Sequence, residues 1–466
     1  MPGGAELRDL TLVEAAAAIR DGDVTSEAVT RACLDEIERV APALNCFIRV
    51  DGETALERAA ACDRARRAGR PLGALHGVPL AHKDMFYRGG AVVSCGSRIL
   101  ADFRPAENSV LLARLEEAGA LNLGALHMAE FAMSPMGYNA HLGHGRNPWN
   151  PAHVSGGSSS GSGAATAARL VFGALGSDTG GSVRMPAAIC GVTGLKPTQG
   201  RLPLGGAMPL APSLDCAGFL ARSAADITCL MGAATGDGEM FDAIAAGRPS
   251  GSGGIVVAVP DLDAADGPMT EEIRSIVRHA ADDLRAAGAV LRPVPMPDLA
   301  ELGLIANVIL GSEAASIHRP WLESRPGDYG RQVRRRIERG LLYPATRYID
   351  ALRLRGPLLA DFLARYLDSG AAALLLPVLP EPVPAIEETT AGSETEIEER
   401  FGSFSYWTRA INYLGLPSLA LPAGFTGNGL PTGIQLVGRP LSEPLLLRIG
   451  RQFQEVTDWH RRKPRL

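Results

Sequence analysis

The chain has 466 residues, enough for one large α/β domain with a sizeable core, and its 46% hydrophobic and 21% charged residues are ordinary globular usage that excludes global disorder. Lysine and arginine number 46 against 51 acidic residues, interspersed, for a net charge of -5, so a basic face for nucleic acid is not expected. Seven scattered cysteines (Cys33, Cys46, Cys62, Cys95, Cys190, Cys216 and Cys229) form no C-x-x-C pair, which argues against a disulfide framework or zinc site and for a reducing, cytoplasmic compartment.

The first residues lack a basic start and an apolar stretch, so no signal peptide is expected. Residues 7–45 read as two helices, the first capped by Thr11 with Glu14, the second carrying Val29, Cys33, Ile37 and Val40 on one stripe. A third helix is expected over 52–69. Residues 76–85 form a short apolar run ending in polar groups, read as a buried strand leading into a functional loop. A helix over 107–119 and a strand over 120–124 follow. The stretch Ser155–Gly163 is almost all Gly and Ser, the composition of a flexible linker. An apolar, helix-like run from Ala164 to Ala174 and a second Gly-rich turn up to Ser182 flank it, and two such loops around one buried helix read as a built site.

Beyond residue 220 the pattern is βαβ-like. Strands are expected at 255–259, 289–294, 373–379, 419–422 and 433–437, and helices at 269–287 and 404–414. The apolar run near Ala371–Leu379 is too short to cross a bilayer and meets Pro377 and Pro380. Five arginines within Arg331–Arg339 read as a solvated helix face. No convincing linker appears, so residues 1–466 are expected to form a single domain, with a motif core at about 76–220 and a more variable, substrate-side segment at about 221–400.

Ser182 closes the turn Thr179-Gly-Gly-Ser-Val-Arg184. Glycines there let backbone N–H groups converge on one point, as an oxyanion hole requires. A serine nucleophile also needs a base. His82, His141 and His144 lie nearby in sequence, yet nothing pairs them with Ser182. Lys83, after an apolar run, should be buried, and burial lowers a lysine pKa until its amine can accept a proton. A buried ion pair between Lys83 and Asp84 or another carboxylate is the competing reading.

Gly156-Gly-Ser-Ser-Ser-Gly-Ser162, Gly176-Ser-Asp-Thr-Gly-Gly-Ser-Val-Arg-Met-Pro186 and Cys190-Gly-Val-Thr-Gly-Leu-Lys-Pro-Thr198 together resemble the amidase signature. His76-Gly-Val-Pro-Leu-Ala-His-Lys-Asp84, Asn147-Pro-Trp-Asn150, Ser213-Leu-Asp215, Gly415-Leu-Pro-Ser418 and Gly429-Leu-Pro-Thr-Gly-Ile-Gln435 extend the resemblance nearly end to end. It implies the amidase signature fold, a central mixed β-sheet between layers of α-helices. It also implies a triad of Ser182 as nucleophile, Ser158 as a bridging serine after a cis peptide bond, and Lys83 as base, working through an acyl-enzyme. Backbone N–H groups of Thr179, Gly180, Gly181 and Ser182 would hold the oxyanion, and Ser159, Asp178 and Arg184 would orient the loops. Three positions depart from the family pattern: His82 where valine is frequent, Ser160 for glycine and Phe219 for proline.

The expected function is a stand-alone amidohydrolase for a small amide, anilide, carbamate (urethane) or urea. It would act without metal, cofactor, membrane or nucleic acid, with a homodimer as the family's suggestion. Met128, Phe131, Met133 and Tyr138 are its candidate pocket walls, pointing to uncharged, partly apolar substrates. Three alternatives stand beside it. The first is the glutaminase half, the A subunit, of a tRNA-dependent amidotransferase, with identical catalytic residues. The second is a non-catalytic binding protein with a retained site. The third is an α/β-hydrolase built on Gly157-Ser-Ser-Ser-Gly161 with Ser159 as nucleophile, disfavoured because loop rather than strand precedes that motif.

Overall fold

Alternation of short apolar runs with amphipathic segments places strands inside and helices outside, and the computed structural model follows that rule over residues 3–245, 254–264, 267–368 and 370–466, which it describes. The strands are β1 (Phe47–Val50), β2 (Pro79–Lys83), β3 (Leu121–Leu126), β4 (Gly173–Asp178), β5 (Thr193–Lys196), β6 (Cys216–Ala221), β7 (Val256–Pro260), β8 (Val290–Val294), β9 (Ala373–Pro377), β10 (Ser418–Phe425) and β11 (Pro431–Val437). They form one mixed sheet in the order β1-β3-β2-β4-β6-β5-β10-β11-β9-β7-β8. Strand β2 runs parallel to both β3 and β4, whereas β4 and β6 are antiparallel. Every residue of β2, β3, β4 and β6 is buried, as befits strands covered on both faces.

The capping box at Thr11 forms as expected: Glu14 N–H donates to Thr11 Oγ1 at 3.2 Å, and Thr11 N–H to Glu14 Oε2 at 2.8 Å. The stripe Val29, Cys33, Ile37 and Val40 is buried on the helix Ser26–Leu44. Two expectations shift. The helix expected over Ala164–Ala174 starts inside the Gly/Ser block and runs Ser160–Ala167, and β4 follows it from Gly173. Close packing explains this use of small residues: a Cβ on Gly161 would lie 2.3 Å from the Cys46 carbonyl oxygen. The long helices Ala300–Ser324 and Ala345–Tyr366, each with an internal proline, carry no clean sequence period and fall outside the expected elements. The first has the length and apolarity of a membrane span, with mean hydropathy 1.3, but buries Leu302, Ala306, Ile309, Ala314 and Ala315 within the fold.

Topology then sets the site. Parallel neighbours β2 and β4 end together at Lys83 and Asp178, so a lysine and a Gly/Ser turn meet at the carboxyl ends of adjacent strands, where open α/β sheets place ligands.

Candidate active site

Lys83 is fully buried at the end of β2. Its Nζ donates to Ser158 Oγ at 2.7 Å and to Ser177 Oγ at 2.8 Å. No carboxylate forms an ion pair with it among the described residues, so the competing reading of a Lys83–Asp84 bridge does not describe this lysine. Asp84 instead accepts from the Ser94 N–H at 2.9 Å and the Ser94 hydroxyl at 2.6 Å. Burial pulls the Lys83 pKa down to about 7, with the charges of Asp178 and Asp215 acting in the opposite direction. His82 precedes Lys83 on a strand and so faces the other way, its Nδ1 3.0 Å from Asn122 Oδ1. Burial lowers the His82 pKa to about 4, leaving it neutral at physiological pH. The other two histidines are engaged elsewhere: His141 Nε2 lies 3.0 Å from Glu130 Oε1, and His144 packs on Tyr138.

Ser158 is buried, and its peptide bond to Gly157 is cis. Ser159 Oγ donates to the Ser177 carbonyl oxygen at 3.2 Å and accepts from the Ser177 N–H at 3.3 Å, tying the Gly/Ser loop to β4. The Ser159 hydroxyl is thus committed to the backbone of β4, which leaves the α/β-hydrolase reading without a nucleophile.

The turn after β4 is shaped by a buried ion pair. Arg184 Nε donates to Asp178 Oδ2 at 3.0 Å, and Arg184 Nη2 to Asp178 Oδ1 at 3.1 Å. Asp178 also accepts from the N–H groups of Gly181 at 2.8 Å and Val183 at 3.1 Å and from Asn412 Nδ2 at 2.8 Å. Burial pushes its pKa up, but Arg184, Lys196 and Asn412 together hold it well below the usual carboxylate range. The turn needs glycine at 181: its φ is +121°, and a Cβ would lie 2.2 Å from Thr408 Oγ1. Because the Gly181 N–H already serves Asp178, the four expected oxyanion donors narrow to Thr179, Gly180 and Ser182, whose N–H groups have no intramolecular acceptor among the described residues. Ser182 keeps 8% exposure and borders a small cavity of about 30 Å³ together with Thr179 and Gly180.

Of the four expected pocket walls only Met133 lines that cavity. Met128 is fully buried in the core. Phe131 adopts a left-handed φ of +45°, which turns its ring into a cluster with His318, Trp321 and Tyr329. Tyr138 borders a different cavity with Arg331 and Arg335. Sequence reasoning missed other residues. Ser177 supports Lys83, and Asp215, just before β6, accepts from the Thr179 hydroxyl at 2.5 Å and braces the turn. Arg336 and Arg409 also line the Ser182 cavity, so Arg336 does not belong to a solvated face. Ser177 sits inside the motif that draws attention to Ser182. The two arginines come from helices far apart in sequence, and no local pattern joins them.

The Amidase family model matches residues 28–447. The A subunit of glutamyl-tRNA(Gln) amidotransferase from Pseudomonas putida (strain W619) is 36% identical over 490 residues, covering 98% of this chain and 99% of the relative. The protein of the same name from Myxococcus xanthus (strain DK1622) is 37% identical over 490 residues with the same shares covered. A solved structure from a vestigial protein complex, bearing on the evolutionary origins of an s-triazine catabolic enzyme, matches with a TM-score of 0.86 and 31% identity over 96% of this chain and 98% of that one. The amidotransferase relatives overturn the expectation of a stand-alone hydrolase that meets only a small-molecule substrate and no nucleic acid. The physical reason for the error is that the catalytic motifs, on which that expectation rests, are the same in both settings. The chain belongs to the amidase family and is an amidase-type enzyme acting on carbon–nitrogen bonds.

Proposed function

We propose that this chain is the amidase component of a tRNA-dependent amidotransferase, releasing ammonia from glutamine at Ser182 for transfer to a tRNA-bound glutamyl group. The observation that carries the reading is near-full-length identity to proteins named for that reaction. The intact set of Lys83, Ser158 and Ser182, in a lysine environment that favours a neutral amine, supports it.

In this reading Ser158 passes a proton to neutral Lys83 as it takes the Ser182 proton. Ser182 Oγ bonds to the amide carbon, and the N–H groups of Thr179, Gly180 and Ser182 stabilise the oxyanion. The proton returns through Ser158 to the leaving nitrogen, the C–N bond breaks, ammonia departs and a γ-glutamyl ester remains on Ser182. Water, activated by the same relay, releases glutamate. Catalytic hydrogen bonds in free enzymes are often loose and tighten on substrate, so Ser182 is expected to close onto Ser158 when glutamine binds. The whole chain acts as a single amidase domain in a reducing, cytoplasmic compartment, where its seven cysteines, all free, stay thiols.

Rapid-quench mass spectrometry of the protein mixed with glutamine tests the nucleophile. A γ-glutamyl adduct on the peptide holding Ser182, absent in Ser182→Ala, is the expected result. An adduct on another residue, or ammonia release that survives Ser182→Ala, would refute it.

A further inference from the structure

A cavity of about 980 Å³ lies at the edge of the sheet opposite Ser182. Arg222, which lines it, follows the last residue of β6, and that residue, Ala221, pairs with Gly173 at the start of β4. Ser182 follows the other end of β4. A six-residue strand, roughly 20 Å long, therefore separates this cavity from the acyl-transfer centre.

Five arginines, Arg20, Arg169, Arg222, Arg451 and Arg461, line the cavity against three carboxylates, Asp9, Glu14 and Glu455. The carboxylates are committed. Asp9 pairs with Arg169 and, at 2.6 Å, with Lys463. Glu455 accepts from Arg451 Nε at 3.2 Å, and Glu14 closes the capping box on the Thr11 N–H. Arg20, Arg222 and Arg461 form no ion pair among the described residues. Arg222 is also 5% exposed. Its Nη1 donates to the Leu10 carbonyl oxygen and its guanidinium lies 4.9 Å from the centre of the Phe172 ring, but Nε and Nη2 have no acceptor. Asp226, whose charge acts on Arg222, accepts instead from the N–H groups of Val13 at 3.2 Å and Ser223 at 3.1 Å. Burial pulls the Arg222 pKa down to about 10, so it stays cationic at neutral pH. His460, also on the cavity wall, has a buried Nδ1 without a partner.

A buried cation with unmade hydrogen bonds is costly unless an anion supplies the acceptors. Guanidinium forks match the oxygens of phosphate, and three cations without ion pairs call for more than one negative charge. The cavity has the volume of a small-molecule site, and its recessed arginine lies out of reach of a nucleic-acid backbone docked on the surface. We propose that this cavity binds a small phosphorylated molecule, with Arg222 at its floor and the exposed Arg20 and Arg461 at its rim. The site is separate from the acyl-transfer centre and does not rest on the amidotransferase reading.

The test is calorimetric titration of the full-length chain, at fixed ionic strength, with pyrophosphate, ADP, citrate and uncharged adenosine. Pyrophosphate or ADP is expected to fill a single saturable site, with citrate and adenosine each at least roughly tenfold weaker, the scale of one hydrogen bond to a charged group. Arg222→Gln should weaken the phosphate ligand by roughly tenfold or more. Arg20→Gln combined with Arg461→Gln should weaken it too, and this exposed pair keeps the test decisive if Arg222→Gln does not fold. Ser182→Ala should bind as the wild type does. Absence of saturable binding by both pyrophosphate and ADP would overturn the proposal, as would citrate matching them or an affinity unchanged in the arginine variants. Binding lost in Ser182→Ala would place the anion at the catalytic centre and overturn it equally. Weakened tRNA binding in the arginine variants, with neither small phosphate bound, would assign these arginines to RNA instead.

Discussion

Replacing Lys83 with Met is expected to lower kcat by roughly 10²–10⁴-fold while leaving the protein folded. Lys83 is fully buried and donates to the hydroxyls of Ser158 and Ser177, so its removal leaves no ion-paired carboxylate stranded among the described residues. Methionine fills similar space without a charge to desolvate, and the thermal midpoint should hold or rise. The wild-type pH profile carries the second half of the expectation. The base must be neutral, and burial sets the Lys83 pKa at about 7. Above that pH kcat/KM should be level on its acid side, and below it should fall about tenfold per pH unit as the amine protonates. A limb near pH 4 would point to a buried histidine such as His82, whose pKa lies at about 4. Combining Lys83→Met with Ser182→Ala should cost little more than either alone if the two belong to one relay, as proposed.

The largest structural effect is expected at Arg184. Its side chain and that of Asp178 are both 0% exposed. Arg184 also donates to Gln435 Oε1 at 2.8 Å, to Asn412 Oδ1 at 2.6 Å and to the Thr408 carbonyl at 3.0 Å. Arg184→Ala removes one partner of a desolvated pair and strands the Asp178 carboxylate, a change worth about 3–5 kcal/mol. A lower thermal midpoint and poor soluble yield are the expected readouts. Arg184→Lys should rescue little, since an ammonium cannot span both Asp178 oxygens and three further acceptors. Wild-type stability in Arg184→Ala would show that the turn is held by other means.

These two residues mark what is legible in the sequence. The turn from Asp178 to Arg184 acts within one short segment whose Gly texture reports close backbone approach, whereas Lys83 follows an apolar run that reports only its burial, and its contact with Ser158 is expected from the family resemblance alone. Residues 164–174 mislead because their alanines suit a helix by propensity, yet the helix ends at Ala167, the backbone turns through a left-handed Arg169 at φ +59°, and β4 starts at Gly173. Phe131 lies beside the motifs in sequence, but its left-handed backbone sends the ring into the core and away from the pocket. Arg336 and Arg409 are invisible for a different reason. An arginine-rich helical stretch reads as a solvated face, and only the packing of two distant helices brings these side chains to Ser182. The biological setting escapes the sequence because motifs report how a bond is broken, not where the released nitrogen goes.

Delivery of ammonia freed at Ser182 to a tRNA-bound glutamyl group is what would separate the proposed amidotransferase component from a simple hydrolase. The direct measurement is transfer of label from [amide-¹⁵N]glutamine into the aminoacyl group of glutamyl-tRNA, with the chain assembled alongside the partner subunits that the proposed function requires. Labelled glutaminyl-tRNA that disappears with Ser182→Ala is the predicted result. Label appearing equally with Ser182→Ala, or an active wild-type chain that hydrolyses amides yet never labels the tRNA, would contradict it.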